Sequence, residues 1–258
     1  MILTIDIGNT NITMGLHEGE TLGPRWRIRT IHEKMPDEYG TLLIQLFHHQ
    51  GFQLEQVTGV AIASVVPPLT PIFQQVCQDY VGQTPLVVDA GVRTGVPIRY
   101  DNPREVGADR VVDAAAVRAL YGVPACVVDF GTATTFDAVS AAGDYLGGAI
   151  APGIGIAARA LFERTAKLPR VELTRPPSVI GRNTPHSIQS GLLFGYVGLV
   201  EGMVARFKAE LGDQTRVIAT GGLAEIIAHE TDVIDIVDPW LTLHGLRIVY
   251  ELNQPADE

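Results

Sequence analysis

The chain has 258 residues, of which 46% are hydrophobic and 19% charged, enough apolar material for one large domain or two of ordinary size. Its formal net charge of −10 argues against nucleic acid or an acidic membrane as partner, although arginine or Mg²⁺ could neutralise an anionic substrate locally. Neither the 2 cysteines nor the 7 histidines have metal-ligand spacing, so we expect reduced, packed thiols and no transition-metal site.

A hairpin of two short strands is predicted at the N-terminus by the apolar residues of the segment 2–16. Gly8 and Asn9 lie between the strands, and both tolerate the positive φ that two-residue hairpins need. Asp6 ends the first strand, where its carboxylate could hold a hydrated cation, and the residues that follow offer backbone N–H groups, amides and hydroxyls. This turn suits a phosphate chain with its Mg²⁺. The same residues are also typical of an ordinary turn.

The segment up to residue 120 predicts a mixed sheet flanked by helices. A third strand is expected at 25–30, helices at 35–50 and 71–80, and strands at 58–64 and 85–89, the former buried on both faces. A polar loop at 92–103 then leads to a helix at 105–120. Asp109 and Arg110 fall near the start of this helix, where Asp109 is either a helix cap or a functional carboxylate.

The acidic turn recurs in the second half of the chain. Asp129, Gly131 and Thr132 follow an apolar strand and precede another, in the same order as Asp6, Gly8 and Thr10. A single repeat at this separation indicates two similar halves rather than a solenoid. We therefore predict an N-terminal domain at 1–121 and a C-terminal domain at 122–258.

The remaining elements include one long helix rich in glycine. A strand at 146–153 leads into a helix at 154–162, a loop at 166–182 and the long helix at 184–211, with Thr184 as its predicted N-cap. Four glycines in this helix indicate a closely approaching backbone, from the same chain or a second copy: Gly191, Gly195, Gly198 and Gly202. A strand at 216–220 ends at Gly221-Gly222, and a strand at 233–237 and a helix at 243–253 complete the prediction.

Together these motifs resemble the superfamily of acetate and sugar kinases, Hsp70 and actin. Within it, the chain is similar to type III pantothenate kinases, and the resemblance extends from the first residues to Asn253. The matching segments are Asp6-Ile-Gly-Asn-Thr10, Gly107-Ala-Asp-Arg110, Asp129-Phe-Gly-Thr-Ala-Thr134, Gly147-Gly148, Pro152-Gly153, Thr184 with Ile188-Gln-Ser-Gly191, and Gly221-Gly222. The resemblance implies an α/β fold of two ribonuclease H-like (actin-like ATPase) domains with a nucleotide cleft between them.

The resemblance also implies a reaction, phosphorylation of pantothenate to 4′-phosphopantothenate by ATP, the first step of coenzyme A biosynthesis. Asp109 would be the catalytic base, Asp6 would position Mg²⁺, and Asp129 would help bind K⁺ or NH₄⁺. The implied ATP and phosphate contacts are Asp6, Ile7, Gly8, Asn9, Thr10, Asn11, Ile12, Thr13 and Thr132. The implied pantothenate contacts are Tyr100, Gly107, Ala108, Asp109, Arg110 and Thr184.

Two alternatives remain open within the same fold. One is another actin-like kinase or phosphatase, acting on a sugar or polyphosphate, and the other is a non-catalytic regulatory accessory factor. The retained acids Asp6, Asp109 and Asp129 count against the regulator. Asp113 stands where the family commonly has Asn, so it either raises the pKa of Asp109 or faces solvent. We further expect a homodimer, no nucleic-acid or membrane partner, and, since neither a signal sequence nor a membrane-spanning stretch is recognised, a cytoplasmic location.

Overall fold

The computed structural model describes residues 1–255 and divides the chain into two compact units. The first unit consists of Met1–Leu120 together with the segment that begins at Leu241, and the second is Tyr121–Trp240. The predicted domain boundary after residue 121 lies within one residue of this division. The C-terminal helix differs from the prediction, because it belongs to the first unit and not to the second.

The helices and strands alternate as expected for an α/β protein. The elements of the first half are β1 (Ile2–Ile7), β2 (Asn11–Glu18), β3 (Thr21–Arg29), α1 (Pro36–His49), β4 (Gly59–Ser64), α2 (Thr70–Val76), β5 (Leu86–Val87) and α3 (Ala108–Leu120). Those of the second half are β6 (Ala125–Phe130), β7 (Ala133–Val139), β8 (Tyr145–Pro152), α4 (Ile154–Glu163), α5 (Thr184–Leu211), β9 (Arg216–Thr220), α6 (Ala224–Ala228), β10 (Ile236–Val237) and α7 (Leu241–Leu252).

Each unit contains a five-stranded mixed sheet of the same topology. The first sheet has the order β3-β2-β1-β4-β5 and the second, read in the same direction, β8-β7-β6-β9-β10. In both, an antiparallel meander of three strands is extended by two parallel strands beside the first strand of the meander. The internal repeat expected from the two Asp-Gly turns is therefore a repeat of the whole sheet.

The cores follow from the apolar faces of these elements. In the first unit, four of the six residues of β1 and five of the six residues of β4 are buried, as expected for strands covered on both faces. Helices α1 and α2 contribute to this core through Tyr39, Phe47 and Phe73. Helices α3 and α7 pack on each other so closely that a methyl group on Gly245 would lie 2.7 Å from the Val112 side chain. This contact explains why α7 belongs to the first unit.

Helix α5 is the main helix of the second unit. Its buried side packs Leu192, Leu193 and Val200 into the core that also contains Phe136 of β7. Within residues 1–255 this helix meets the length and composition expected of a membrane span, contrary to our reading of the sequence. Core helices of globular domains meet the same criteria, and one side of α5 is packed into the core of the second unit.

The start of α5 differs from the prediction in one residue. Asn183, not Thr184, is the N-cap, because its side-chain Oδ1 accepts a hydrogen bond of 2.8 Å from the backbone N–H of His186. Thr184 is the first residue of the helix and Pro185 follows it. Asn and Thr are both good caps, so their order in the sequence could not decide between them.

Candidate functional site

The two acidic residues of the repeated turns occupy the same register in the two sheets. Asp6 lies on the central strand of its sheet, opposite Thr13 on β2 and beside Ala63 on β4. Asp129 lies on the central strand of the other, opposite Thr135 on β7 and beside Thr220 on β9. In each unit the carboxylate is therefore carried by the penultimate residue of the central strand, one residue before the turn begins.

The first turn is held by hydrogen bonds to the residue that follows β3. The turn is closed by the N–H of Gly8, which donates to the carbonyl of Asn11 at 3.0 Å. Thr30 donates twice to the same turn, from its backbone N–H to the carbonyl of Thr10 at 3.0 Å and from its Oγ1 to the carbonyl of Gly8 at 2.6 Å. The expectation of positive φ at Gly8 and Asn9 is wrong, since neither residue has it.

The second turn is packed against glycines. A methyl group on Gly131 would lie 3.1 Å from Oδ2 of Asp129, and one on Gly153, which follows β8, would lie 2.8 Å from the carbonyl carbon of Thr132. Gly221 has a φ of +88°, and a methyl group there would collide with Oδ1 of Asp129 and lie 2.7 Å from the carbonyl carbon of Phe130. The Gly221-Gly222 turn and the Asp129 turn, separate in the sequence, are therefore in direct contact.

Asp109 lies in the first turn of α3 and folds back over Gly107. Its Oδ1 accepts a hydrogen bond of 2.8 Å from the backbone N–H of Arg110, and a methyl group on Gly107 would lie 2.5 Å from the same oxygen. Burial raises the pKa of the Asp109 carboxyl above its ordinary value. The backbone N–H of Arg110 and its guanidinium oppose this rise because both stabilise the charged form.

Val65 places the start of α3 next to the end of β1. The N–H of Val65 donates to the carbonyl of Ile7 at 3.1 Å, directly after the residue that carries the first carboxylate. A methyl group on Gly107 would lie 3.5 Å from the side chain of Val65. The segment Gly107–Arg110 and the Asp6 turn are thus neighbours on one side of the first unit.

Asp113 does not face solvent, so that alternative is wrong. It is 4% exposed, one helical turn after Asp109 on α3. The pKa of Asp109 is raised mainly by its own burial. The extra carboxylate is part of the interior of the first unit.

The other predicted substrate residues lie on loops and helix ends. Tyr100 is 37% exposed and precedes a short 3-10 turn at Pro103–Glu105 of the first unit. Thr184 belongs to the second unit and lines an open groove of about 790 Å³. The lining of this groove includes the polar residues Arg182, Asn183 and Ser187 and the apolar residues Leu161 and Leu192.

Three residues that contact the acidic turns are not among the site residues predicted from the sequence. Thr30, Val65 and Gly153 each follow a strand end and contact a turn that is distant in the sequence. A single-residue signal does not exist for such contacts, because they depend on strand pairing. Asn183, which caps α5 beside the predicted Thr184, is a different case, since Asn before Thr-Pro is a recognisable cap.

Known structures agree with the predicted fold class. A structure named as a Baf family transcriptional activator from Campylobacter jejuni superposes with a TM-score of 0.63 at 19% identity, covering 97% of this chain and 98% of that one. A structure named as a 2-dehydro-3-deoxygalactonokinase from Sinorhizobium meliloti gives 0.62 at 11% identity, covering 100% and 98%. At these identities the likeness establishes the fold alone, and the predicted two-domain actin-like fold is confirmed.

The sequence comparisons establish more than the fold. A family model described as type III pantothenate kinase matches residues 2–206. The type III pantothenate kinase of Moorella thermoacetica is 57% identical over 253 residues, which cover 98% of this chain and 100% of that relative. This chain belongs to the type III pantothenate kinase family.

Proposed function

We propose that this chain transfers the γ-phosphoryl group of ATP to the primary hydroxyl of pantothenate and forms 4′-phosphopantothenate, the first step of coenzyme A biosynthesis. Membership of the type III pantothenate kinase family supports this reaction. The structural observation that supports this reaction most directly is the position of Asp109. Its carboxylate lies over Gly107 at the start of α3, next to the end of β1 where Asp6 is found.

Asp109 orients the substrate hydroxyl and accepts its proton as the oxygen attacks the γ-phosphorus. The N–H of Arg110 holds one carboxylate oxygen at 2.8 Å, which fixes the orientation of the group. Phosphoryl transfer has a loose transition state that depends mainly on positioning and charge neutralisation, so a strong base is not needed. Burial of Asp109 raises its pKa and so makes it a better proton acceptor than a solvated Asp.

The phosphates are bound by the turns at the ends of β1 and β6. In the first turn, the N–H of Gly8 is already donated to Asn11, so Gly8 contributes close approach rather than a hydrogen bond. The phosphate contacts that we propose in this turn are the amides and hydroxyls of Asn9, Thr10, Asn11 and Thr13, and in the second turn the hydroxyl of Thr132. Ile7 and Ile12, on either side of the turn, are fully buried in the core of the first unit.

Pantothenate is bound by residues of the loop before α3 and of its first turn. Arg110 and Tyr100 supply charge and hydrogen bonds to the polar end of this acid, while Gly107 and Ala108 leave room at the backbone. Thr184, at the start of α5, is a further proposed pantothenate contact, and it is exposed and lines the groove of the second unit. Whether Thr184 acts in the site of its own chain or of a second copy follows from the oligomeric state.

A divalent cation accompanies ATP in this reaction, and Mg²⁺ suits Asp6. Within residues 1–255 no group of three or more His, Cys, Asp or Glu side chains could hold a metal ion. Mg²⁺ bound with a nucleotide takes one or two carboxylates and completes its shell with phosphates and water, so a single Asp fits. K⁺ or NH₄⁺ suits Asp129, whose carboxylate lies between Gly131 and Gly221 with bare backbone on both sides.

A second copy of the chain covers α5 in a homodimer. A methyl group on Gly191, Gly195 or Gly198 would meet nothing within 4 Å in residues 1–255, so the close backbone expected from these glycines is not supplied by the chain itself. Exposed apolar side chains lie in the same unit, among them Val179 (63%) and Ile180 (79%). Light scattering at micromolar concentration tests this point, and a monomeric mass would exclude the homodimer.

The negative net charge supports a protein without nucleic-acid or acidic-membrane partners, and we propose a cytoplasmic location for it. Release of ADP by the purified protein, measured with Mg²⁺ and ATP, tests the proposed reaction. We expect release that depends on pantothenate and is faster in K⁺ than in Na⁺. No pantothenate-dependent release in K⁺ would refute the reaction, and equal rates in K⁺ and Na⁺ would refute the role of Asp129.

A further inference from the structure

We infer that Thr30 is a positioning residue for ATP, which acts by fixing the orientation of the peptide groups in the turn after β1. This inference rests on the proposed binding of phosphates by that turn. Thr30 directly follows β3 and is 9% exposed, so its side chain is not available to bind a ligand from solvent. Its role therefore lies in its two contacts with the turn.

The two hydrogen bonds of Thr30 go to alternate carbonyl groups of the turn. The backbone N–H of Thr30 donates to the carbonyl of Thr10, which continues the pairing of β2 with β3 by one residue. The hydroxyl donates to the carbonyl of Gly8 at 2.6 Å, a bond that strand pairing alone does not supply. Both carbonyls are therefore directed towards the same residue.

The planarity of the peptide bond makes this orientation important for an anion. In a trans peptide the carbonyl and the following N–H point in opposite directions. A carbonyl of Gly8 directed at Thr30 therefore turns the N–H of Asn9 away from Thr30, and the carbonyl of Thr10 does the same for Asn11. A phosphate is attracted by N–H groups and repelled by carbonyl oxygens, so the orientation of these peptides decides whether the turn binds it.

Tyr39 of α1 holds the residue next to Thr30. Its hydroxyl accepts a hydrogen bond of 3.2 Å from the N–H of Ile31 and donates one of 2.8 Å to the carbonyl of Ile31. The ring is 2% exposed and packs on Phe73 with 4.7 Å between centroids. Thr30 is thus fixed on one side by β2 and on the other by a buried tyrosine, which makes it a rigid support for the turn.

The substitution Thr30→Val tests this role because it preserves the shape and the backbone bond to Thr10 and removes only the hydroxyl. The matched control is Thr4→Val in the same sheet. Thr4 is 0% exposed, and its Oγ1 donates to the carbonyl of Gly15 at 3.1 Å, away from the turn. Both variants lose one buried hydroxyl-to-carbonyl bond, so their melting temperatures should fall by similar amounts.

The measurement is the Kd of Mg·ATP by calorimetry without pantothenate, followed by the KM for ATP and for pantothenate. We expect Thr30→Val to raise the Kd and the KM for ATP about tenfold, which is the effect of losing one well-oriented N–H donor to a phosphate. The KM for pantothenate should not change, Thr30→Ser should restore ATP affinity, and Thr4→Val should match the wild type.

The outcomes separate this inference from the proposed reaction. Equal Kd values for Thr30→Val and Thr4→Val would overturn the positioning role, as would a Ser variant as weak as the Val variant. ATP binding without pantothenate turnover would refute the proposed substrate and leave the positioning role standing. A wild type that binds no Mg·ATP would overturn both.

Discussion

The two acidic turns share a topology and a register but are fixed in different ways. The residue that follows the third strand of each meander contacts the turn, and this residue is Thr30 in the first unit and Gly153 in the second. Thr30 holds the turn by two hydrogen bonds, whereas Gly153 lets the backbone of Thr132 approach more closely than any side chain would allow.

This difference shows how a duplicated framework can serve two chemical purposes. A turn whose carbonyls are held on one side presents N–H groups on the other, which suits an anionic phosphate. A turn lined by glycines leaves a carboxylate and bare backbone oxygens at short range, which suits a cation. Under the proposed function, the same strand order would supply a phosphate site after β1 and a cation site after β6, and the residue that follows the third strand is one difference between the two turns.

The largest effect on stability is expected for Gly221→Ala in the second turn. The variant combines a φ of +88° with a collision against Asp129 and Phe130, so we expect a loss of about 3 kcal/mol or more in unfolding free energy. The control is Gly82→Ala, where φ is +72° but nothing lies within 4 Å among the described residues. Urea unfolding gives the loss of unfolding free energy in each variant, and the difference between the two losses measures the cost of the collision at Gly221. Equal losses would contradict the close packing of Gly221.

A smaller loss is expected for Gly153→Ala, which lacks the strain of a positive φ. The added methyl group would lie 2.8 Å from the carbonyl oxygen of Gly131, and we expect a loss of about 1–3 kcal/mol. Gly155→Ala, two residues along in α4, meets nothing within 4 Å among residues 1–255 and should be neutral or slightly stabilising. If both variants unfolded at the same urea concentration, the turn would not depend on glycine.

Acid should weaken the first unit more than the second. His17 on β2 is 0% exposed, and burial is the main reason that its pKa falls to about 4. Its counterpart on β7, at the same register, is the apolar Val139. Because the folded pKa lies below the unfolded value of 6.5, stability is present above pH 6.5 and is lost as the pH falls towards 4.

The expected loss at pH 5 is about 2 kcal/mol relative to pH 7. His17→Val should remove this part of the pH dependence, since it reproduces the residue of the second unit. Hydrogen exchange at pH 7 and pH 5 would locate the loss, which we expect in β1 and β2. An equal loss of hydrogen-exchange protection in both sheets would contradict the expected difference between the two units.

The smallest effect on stability is expected for Asp109→Asn. The pKa of Asp109 is raised on folding, so the folded protein holds the proton more tightly than the unfolded chain. Stability contributed by this carboxyl is therefore lost as the pH rises from the unfolded pKa through the folded one. At pH 7 the Asn variant should be as stable as the wild type or more stable, and the difference should vanish at low pH. Thermal unfolding at both values checks the sign.

The sequence predicts the sheets and their acids because these depend on local patterns. Apolar alternation and the repeated Asp-Gly turn are enough to locate β1, β2, β6 and β7 within a few residues. Contacts between distant segments are not encoded in this way. Gly221 against Asp129 and Thr30 against Gly8 arise only when parallel and antiparallel partners of the central strand are in place.

Competing local signals explain the remaining errors. Asn183 and Thr184 are both suitable caps, and in the structure Asn183 caps α5. The last helix was assigned to the second unit because it follows that unit in the chain, but Gly245 allows it to pack against α3 of the first. Neither the capping residue of α5 nor the unit to which α7 belongs could be predicted from helix propensity alone.

The turnover number of Asp109→Asn with saturating pantothenate, Mg²⁺ and ATP in K⁺ is the most direct test of the proposed mechanism. Asn preserves the size of the side chain and removes its ability to accept a proton. We expect kcat to fall by about a hundredfold or more, while the Kd of Mg·ATP stays within about twofold of the wild type. An Asn variant with wild-type kcat would contradict the assignment of Asp109 as the residue that receives the proton of the attacking hydroxyl.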